Sequence, residues 1–303
     1  MKNLLKTSSF LSLLFIGLMS SCDKIEDPVI PVLSGFRSDL YTIPEFEPNQ
    51  DNSLHILLEE FTGHECGNCP GATRWIGEYA ADKPWIHLMG IHAGSLALPT
   101  ANHPFDLTTT TGEAYFTQIG QPGNPVARIN RMPDPSTFKV RAQWVTEIES
   151  QIETIEPPIK CQVKAEVYPS DHPLNSTSDD HLNIFAQFEG ITNFEGQVKF
   201  TVYVLENNVI GHQLNYAPPN GDGNYPEGSI EEYPHKHVLR LAVNGDDGTN
   251  LTNELNPAFN FLMPFTIVPD PAWNLEELEI VVITTDAATG QILNVGSEHA
   301  EVQ

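Results

Sequence analysis

The chain has 303 residues, 40% of them hydrophobic, which is enough for about two domains with real cores. Acidic side chains number 40 against 15 basic ones, a formal charge of −25. A surface of that sign repels phosphate backbones and anionic headgroups, which argues against nucleic-acid binding and assigns the acidity to solubility.

The N-terminus reads as an export signal. Lys2 and Lys6 form a basic start, Phe10 to Leu18 an apolar stretch too short to span a bilayer, and Met19-Ser20-Ser21 a small-residue approach to Cys22. Leu18-Met19-Ser20-Ser21-Cys22 resembles the lipobox of bacterial lipoproteins, with Met19 where leucine is usual. The resemblance implies a signal peptide over 1–21 and a lipid anchor on Cys22 that holds the protein to a membrane. An ordinary cleaved signal with an incidental cysteine is the alternative. Asp23, Glu26 and Asp27 resemble the surface-export signal of some Gram-negative lipoproteins, although a plain acidic linker has the same look. Residues 22–53, interrupted by Pro28, Pro31, Pro44 and Pro48, read as a tether.

From Leu54 the chain alternates strand and helix. Ile56-Leu57-Leu58 is a buried strand, and the sequence then turns through Gly63 to Cys66 and Cys69, just before a helical pattern. A helix start offers free N–H groups and a positive dipole end, both of which favour a thiolate. The spacing also lets the two sulfurs close a small disulfide ring. Pro70 suits the first helical turn, and Ala72, Trp75, Ile76, Tyr79 and Ala80 line one face until Lys83-Pro84. Trp85 to Ile91 is a nearly continuous apolar run, expected as an internal parallel strand, with His87 a satisfied core histidine. A modest helix is expected around Gly112 to Ile119. In Gly120-Gln121-Pro122-Gly123-Asn124-Pro125-Val126, a proline directly before a β-rich segment marks a special backbone position that suits a cis bond. A helix opened by Asp134-Pro135 carries Phe138, Trp144, Val145, Ile148, Ile152 and Ile155, and Pro157-Pro158 closes the domain.

Beyond residue 158 the pattern is all β. Runs at 159–168, 182–188, 197–205, 237–243, 259–268, 278–285 and 292–302 predict an immunoglobulin-like sandwich. Cys161 belongs to the apolar set of the first run and reads as a buried, inert thiol. Asn220-Gly221-Asp222-Gly223-Asn224 lacks the glutamate of a calcium loop and reads as a solvated turn. His235 and His237 share one face of a strand start, too few for a metal site.

The order of strand, Cys-x-x-Cys at a helix start, strand, helix, proline-led strand and closing helix resembles the thioredoxin fold. The phrase Glu59-Glu60-Phe61-Thr62-Gly63-His64-Glu65-Cys66-Gly67-Asn68-Cys69-Pro70 is similar to the active-site segment of that superfamily. The mature chain, including Tyr233-Pro234-His235-Lys236-His237-Val238-Leu239-Arg240, resembles a bacterial lipoprotein family named after a 28-kDa outer-membrane protein. This implies a thioredoxin-like domain over 54–157 and a β-sandwich over 158–303.

The resemblance assigns catalytic roles: Cys66 the attacking thiolate, Cys69 the resolving thiol, Glu60 the buried acid, and Pro125 the cis-proline facing the disulfide, with Pro122 as runner-up. His64 and Asn124 become substrate-contacting residues. Glu65 replaces the tryptophan common before the first cysteine, and a carboxylate there raises a thiol pKa unless a protonated His64 offsets it. Glu59 and Glu60 point to opposite faces of one strand, and ordinary strand-end charges are the bland alternative. The expected function is a membrane-anchored thiol–disulfide oxidoreductase in the cell envelope, at the outer membrane, acting without a cofactor on exported proteins or small disulfides. The alternative is a surface binding or adhesion lipoprotein with a structural 66–69 disulfide. Metal binding by His64, Cys66 and Cys69 with His87, His92 or His103 is a third reading, and no metal ligand is assigned.

Overall fold

Strand β1 (Ile56–Thr62) is buried along its whole length, glutamates included. Such burial needs cover on both faces, and the computed structural model, which describes residues 35–303, provides it. The signal sequence and Cys22 lie outside the described residues. After β1 comes α1 (Cys69–Ala80), with a proline in its first turn. Strand β2 (Ile86–His92) returns parallel to β1, Ile56 opposite Ile86 and Thr62 opposite His92. Helix α2 (Thr110–Gln118) is capped by Thr109, whose hydroxyl accepts from the Gly112 N–H at 2.9 Å. Strand β3 (Val126–Ile129) pairs antiparallel with the other edge of β1 and carries β4 (Lys139–Val140) outside it.

Helix α3 spans Trp144–Thr154, starting later than the Asp134-Pro135 signal suggests. Asp134 instead closes a turn, accepting from the Ser136 N–H at 2.9 Å and the Thr137 hydroxyl at 3.0 Å. An aspartate that bonds its own following backbone serves a turn as well as a helix start.

The second half consists of β5 (Ile159–Tyr168), β6 (His181–Gly190), β7 (Val198–Glu206), β8 (Val209–Asn215), β9 (Gly228–His235), β10 (Val238–Ala242), β11 (Thr249–Thr252), β12 (Asn260–Ile267), β13 (Leu278–Asp286), β14 (Ile292–His299) and β15 (Glu301–Val302). All seven expected runs are strands, and the hairpin β8–β9 and strand β11 are additional. One sheet runs β14-β13-β7-β10-β2-β1-β3-β4, with β11 also on β7, and a four-stranded sheet runs β12-β6-β5-β15. The large sheet therefore crosses residue 158: β10 lies beside β2, and the Gly90 N–H donates to the His237 carbonyl at 2.7 Å.

Alternation along the strands sorts three cores. Phe200, Val202 and Val204 of β7 join Val163, Ile184 and Phe265 between the two sheets. Tyr203 and Leu205 face the other way, toward Leu57, Phe61, Met89 and Phe116. On the far face of β1, Ile56 and Leu58 pack against Ala72 and Ile76 of α1 and Trp144 and Ile148 of α3. Cys161 is a free buried thiol in the first core, its pKa pushed up to about 12 by burial.

Residues 35–53, the visible part of the expected tether, lie against the second half. Alternate side chains of β5 hold their backbone: Lys160 donates to Asn49 O at 2.6 Å, Gln162 to Glu47 O at 3.3 Å and Lys164 to Glu45 O at 2.7 Å. Tyr41 is buried with its hydroxyl 2.7 Å from His181 Nδ1. Among the described residues, no helix is long and apolar enough to cross a membrane.

Candidate functional site

The turn between β1 and α1 brings Cys66 and Cys69 into a disulfide with Cα atoms 5.4 Å apart. The turn is built from its own backbone: Cys66 N–H donates to Gly63 O at 3.0 Å and Cys69 N–H to Cys66 O at 3.1 Å. The peptide between Asn124 and Pro125 is cis, whereas no cis bond precedes Pro122. Val126 pairs with Phe61 in register, which sets Pro125 beside the end of β1, where the disulfide turn begins. The Asn124 amide is engaged in tying that loop down, donating to Thr62 O at 3.0 Å and Ala93 O at 3.3 Å.

Both strand glutamates are inside. Glu59 contacts Arg128 Nε and Arg131 Nη2, each at 2.7 Å. Burial alone pushes its pKa up, but the two guanidinium groups outweigh burial and hold it below the usual carboxylate range. Glu60, on the α1 side, accepts hydrogen bonds from the Thr73 hydroxyl at 3.0 Å. Burial pushes its pKa up to about 8, against weaker opposing pulls from Thr73 and Arg141. The Thr73 hydroxyl also lies 3.1 Å from Cys69 O, so Thr73, one helical turn from the second cysteine, links it to Glu60. A cavity of about 30 Å³, room for one water, touches Glu60, Pro70, Thr73, His92, Gln213 and His235. The strand-end reading of these glutamates is thereby replaced, because neither reaches solvent.

The disulfide is covered. Cys66 is 3% exposed and Cys69 1%. The cover is the hairpin β8–β9, which the sequence reading lacked. Leu214 N–H donates to His64 O at 2.7 Å, Tyr216 N–H to Gly67 O at 2.9 Å, and the Gln213 amide to Cys66 O at 3.1 Å. The hairpin tip docks on α1: Arg74 Nε meets Asp222 at 2.9 Å, and the backbone of Asn220 and Gly221 leaves no room for a Cβ on Gly71. Asn215 shapes that tip by accepting from Asp222 N–H at 2.8 Å and donating to Asp222 O at 3.1 Å. Gly221 and Asp222 are therefore buried, while Asn220, Gly223 and Asn224 are exposed, so the expected solvated turn holds only in part. The alternation of His212, Leu214 and Tyr216 with Gln213 and Asn215 was the available signal, weak because three of those five residues are polar.

Histidines crowd the same corner. His64 is fully buried 5.0 Å from the Phe105 ring, so it faces the interior instead of an open surface, and burial lowers its pKa. His92 and His235 lie edge to face at 5.1 Å, both held neutral chiefly by burial. His235 and His237 separate, because His237 sits in a tight turn at φ +50° with its Nδ1 2.8 Å from Glu279. His87 is satisfied as expected, by Ser297 at 2.8 Å and His55 at 2.9 Å. Glu65 accepts from His103 Nδ1 at 3.0 Å and lies 3.7 Å from His212 Nε2.

This chain is mostly β-sheet with few helices among the described residues, and it carries a Cys-x-x-Cys disulfide at a helix start, sheltered by its own second half. The family model for outer membrane protein Omp28 matches residues 112–303, and the chain belongs to that family. It is accordingly an outer-membrane protein of the cell envelope. The matched stretch begins after the disulfide turn. Among solved structures, HBP35 of Porphyromonas gingivalis is similar at a TM-score of 0.60 and 18% identity, over 84% of this chain and 79% of that one, a likeness of fold. A domain of the outer membrane lipoprotein Omp28 from Porphyromonas gingivalis aligns at 19% identity and a TM-score of 0.29, over 48% of this chain and 91% of that one. No curated protein matches.

Proposed function

We propose that the chain is an outer-membrane lipoprotein, anchored through Cys22, in which a thioredoxin-like half carries a thiol–disulfide exchange site and an immunoglobulin-like half supplies its cover. The observation that carries this reading is Glu60, a buried carboxyl with no ion pair, joined to Cys69 through the Thr73 hydroxyl and uncharged at neutral pH. A strand gains nothing in stability from such a group, whereas proton transfer at Cys69 requires one.

The oxidised form is poised to accept electrons. A thiolate of an exported partner attacks Cys66 Sγ, the 66–69 bond breaks, and Cys69 leaves as a thiolate that takes the proton of Glu60. A second partner thiolate then attacks the partner's own sulfur in the mixed disulfide, releasing Cys66 as a thiolate and completing a partner disulfide. Two electrons pass to the chain, and the reverse sequence reduces a partner disulfide or a small disulfide. Pro125 presents its backbone beside the exchanging sulfur. Access requires β8–β9 to lift, and the partner segment then takes the hydrogen bonds that Leu214 and Tyr216 make to the turn.

A second reading rests on a separate observation, the near-complete burial of both sulfurs. In it the disulfide is structural and the protein is a surface binding or adhesion module. Replacing Cys69 with alanine separates the two. The exchange reading predicts mixed disulfides trapped through Cys66 when the variant is expressed in an oxidising envelope. Absence of any Cys66 adduct in a folded variant favours the structural disulfide.

A further inference from the structure

Glu65, His103 and His212 come from three separate places: the disulfide turn, the loop between β2 and α2, and the middle of β8. One ligand atom from each lies within 4.8 Å of the other two. We propose that these three side chains form a binding site for a divalent transition-metal ion of the zinc or copper(II) class.

Ligand spacing is the first support. Zinc bonds of about 2.0–2.1 Å place tetrahedral ligand atoms roughly 3.3 Å apart. The Glu65 Oε1 to His103 Nδ1 distance of 3.0 Å and the Glu65 Oε1 to His212 Nε2 distance of 3.7 Å bracket that edge. Two imidazoles with one carboxylate is a donor set suited to zinc and copper, and it leaves a further coordination position open.

Unmet hydrogen bonding is the second. The rings of His103 and His212 stack in parallel, with centroids 3.3 Å apart. Both turn a nitrogen toward the same carboxylate oxygen, yet only His103 is within hydrogen-bond distance of it. Nε2 of the buried His212 makes no hydrogen bond. A proton shared with Glu65 serves one imidazole only and leaves Nε2 of His212 free for an ion, which both rings can hold once one of them turns out of the stack.

The third support lies behind the ligands. His212 Nδ1 is 3.0 Å from the Ser229 hydroxyl on β9, and a hydrogen bond to the rear nitrogen is what fixes the tautomer of a metal-bound histidine. Such an ion would tie β8 to the turn that carries Cys66. The proposal holds whether or not the disulfide exchanges.

The test is calorimetric titration of the metal-stripped, full-length mature protein with Zn²⁺ and, separately, Cu²⁺. One saturable site is expected, weakened at least 100-fold in His103→Ala and in the milder His103→Gln, and unchanged in His172→Ala, which lies elsewhere. Co²⁺ added to the wild-type protein should give the visible absorption of a tetrahedral or five-coordinate centre, a readout that needs no variant. No saturable binding to the wild type, or His103 variants that bind like it, would overturn the site.

Discussion

Glu59 and Glu60 are consecutive on β1 and buried on opposite faces of it, one doubly paired with arginine and the other bonded to a threonine hydroxyl. The backbone alternation that separates them makes one a structural ion and the other a neutral acid linked through Thr73 to the start of α1. That division predicts different behaviour for two substitutions that look equivalent in the sequence.

For Glu60 burial raises the pKa in the fold from the ordinary 4.5 to about 8, so protonation favours the fold. Below pH 4.5 the group is neutral in both states and costs nothing; from there to pH 8 stability falls, by an order of a few kcal/mol. Glu60→Gln should therefore be more stable than the wild type at pH 8 and equal to it near pH 4. Denaturant unfolding at the two pH values checks this, and a gain that does not vary with pH contradicts the assignment.

Glu59→Gln should do the opposite. It leaves Arg128 and Arg131 buried without their carboxylate, a loss of about 3–5 kcal/mol for a broken buried pair. The Arg131 guanidinium retains Tyr203 at 2.9 Å, which softens the loss without replacing the charge. Equal stability of variant and wild type in guanidinium unfolding would show that the cluster carries no such energy.

Two glycines of α1 provide a paired test of the hairpin cover. A Cβ on Gly77 meets nothing within 4 Å, so Gly77→Ala should gain about 1 kcal/mol of helix propensity and leave disulfide reduction unchanged. On Gly71 the same methyl collides with backbone carbonyls of Asn220 and Gly221, which cannot swing aside as a side chain can. The propensity gain is too small to offset that overlap, so Gly71→Ala should lift the hairpin tip and speed reduction by a phosphine at least tenfold. Identical rates in the two variants would mean that the hairpin does not control access.

Cys161 should stay unlabelled by a thiol reagent in the native protein and react once unfolded. Its Sγ lies in the core between the sheets, 3.6 Å from the Thr284 hydroxyl, and burial disfavours the thiolate. Mass spectrometry before and after denaturation reads this directly.

Much of this arrangement was legible in sequence. The apolar run 85–91 gave away an internal parallel strand, Asn124-Pro125 the cis bond, and the apolar set of 159–168 the burial of Cys161. Local pattern carries each of these. The hairpin β8–β9 was hidden because its strands are largely polar and owe their place to bonds with a turn some 150 residues away, as Gln213 to Gly63 illustrates. The same distance hid His212 from Glu65. The charge state of Glu59 was equally nonlocal, since it is set by two arginines on and after β3.

The most direct test of the proposed exchange site is the equilibrium potential of the Cys66–Cys69 couple, titrated against dithiothreitol and glutathione series. A site that turns over should fall in the range of catalytic dithiols, roughly −120 to −270 mV. A value below about −300 mV, where structural disulfides of exported proteins lie, would contradict it.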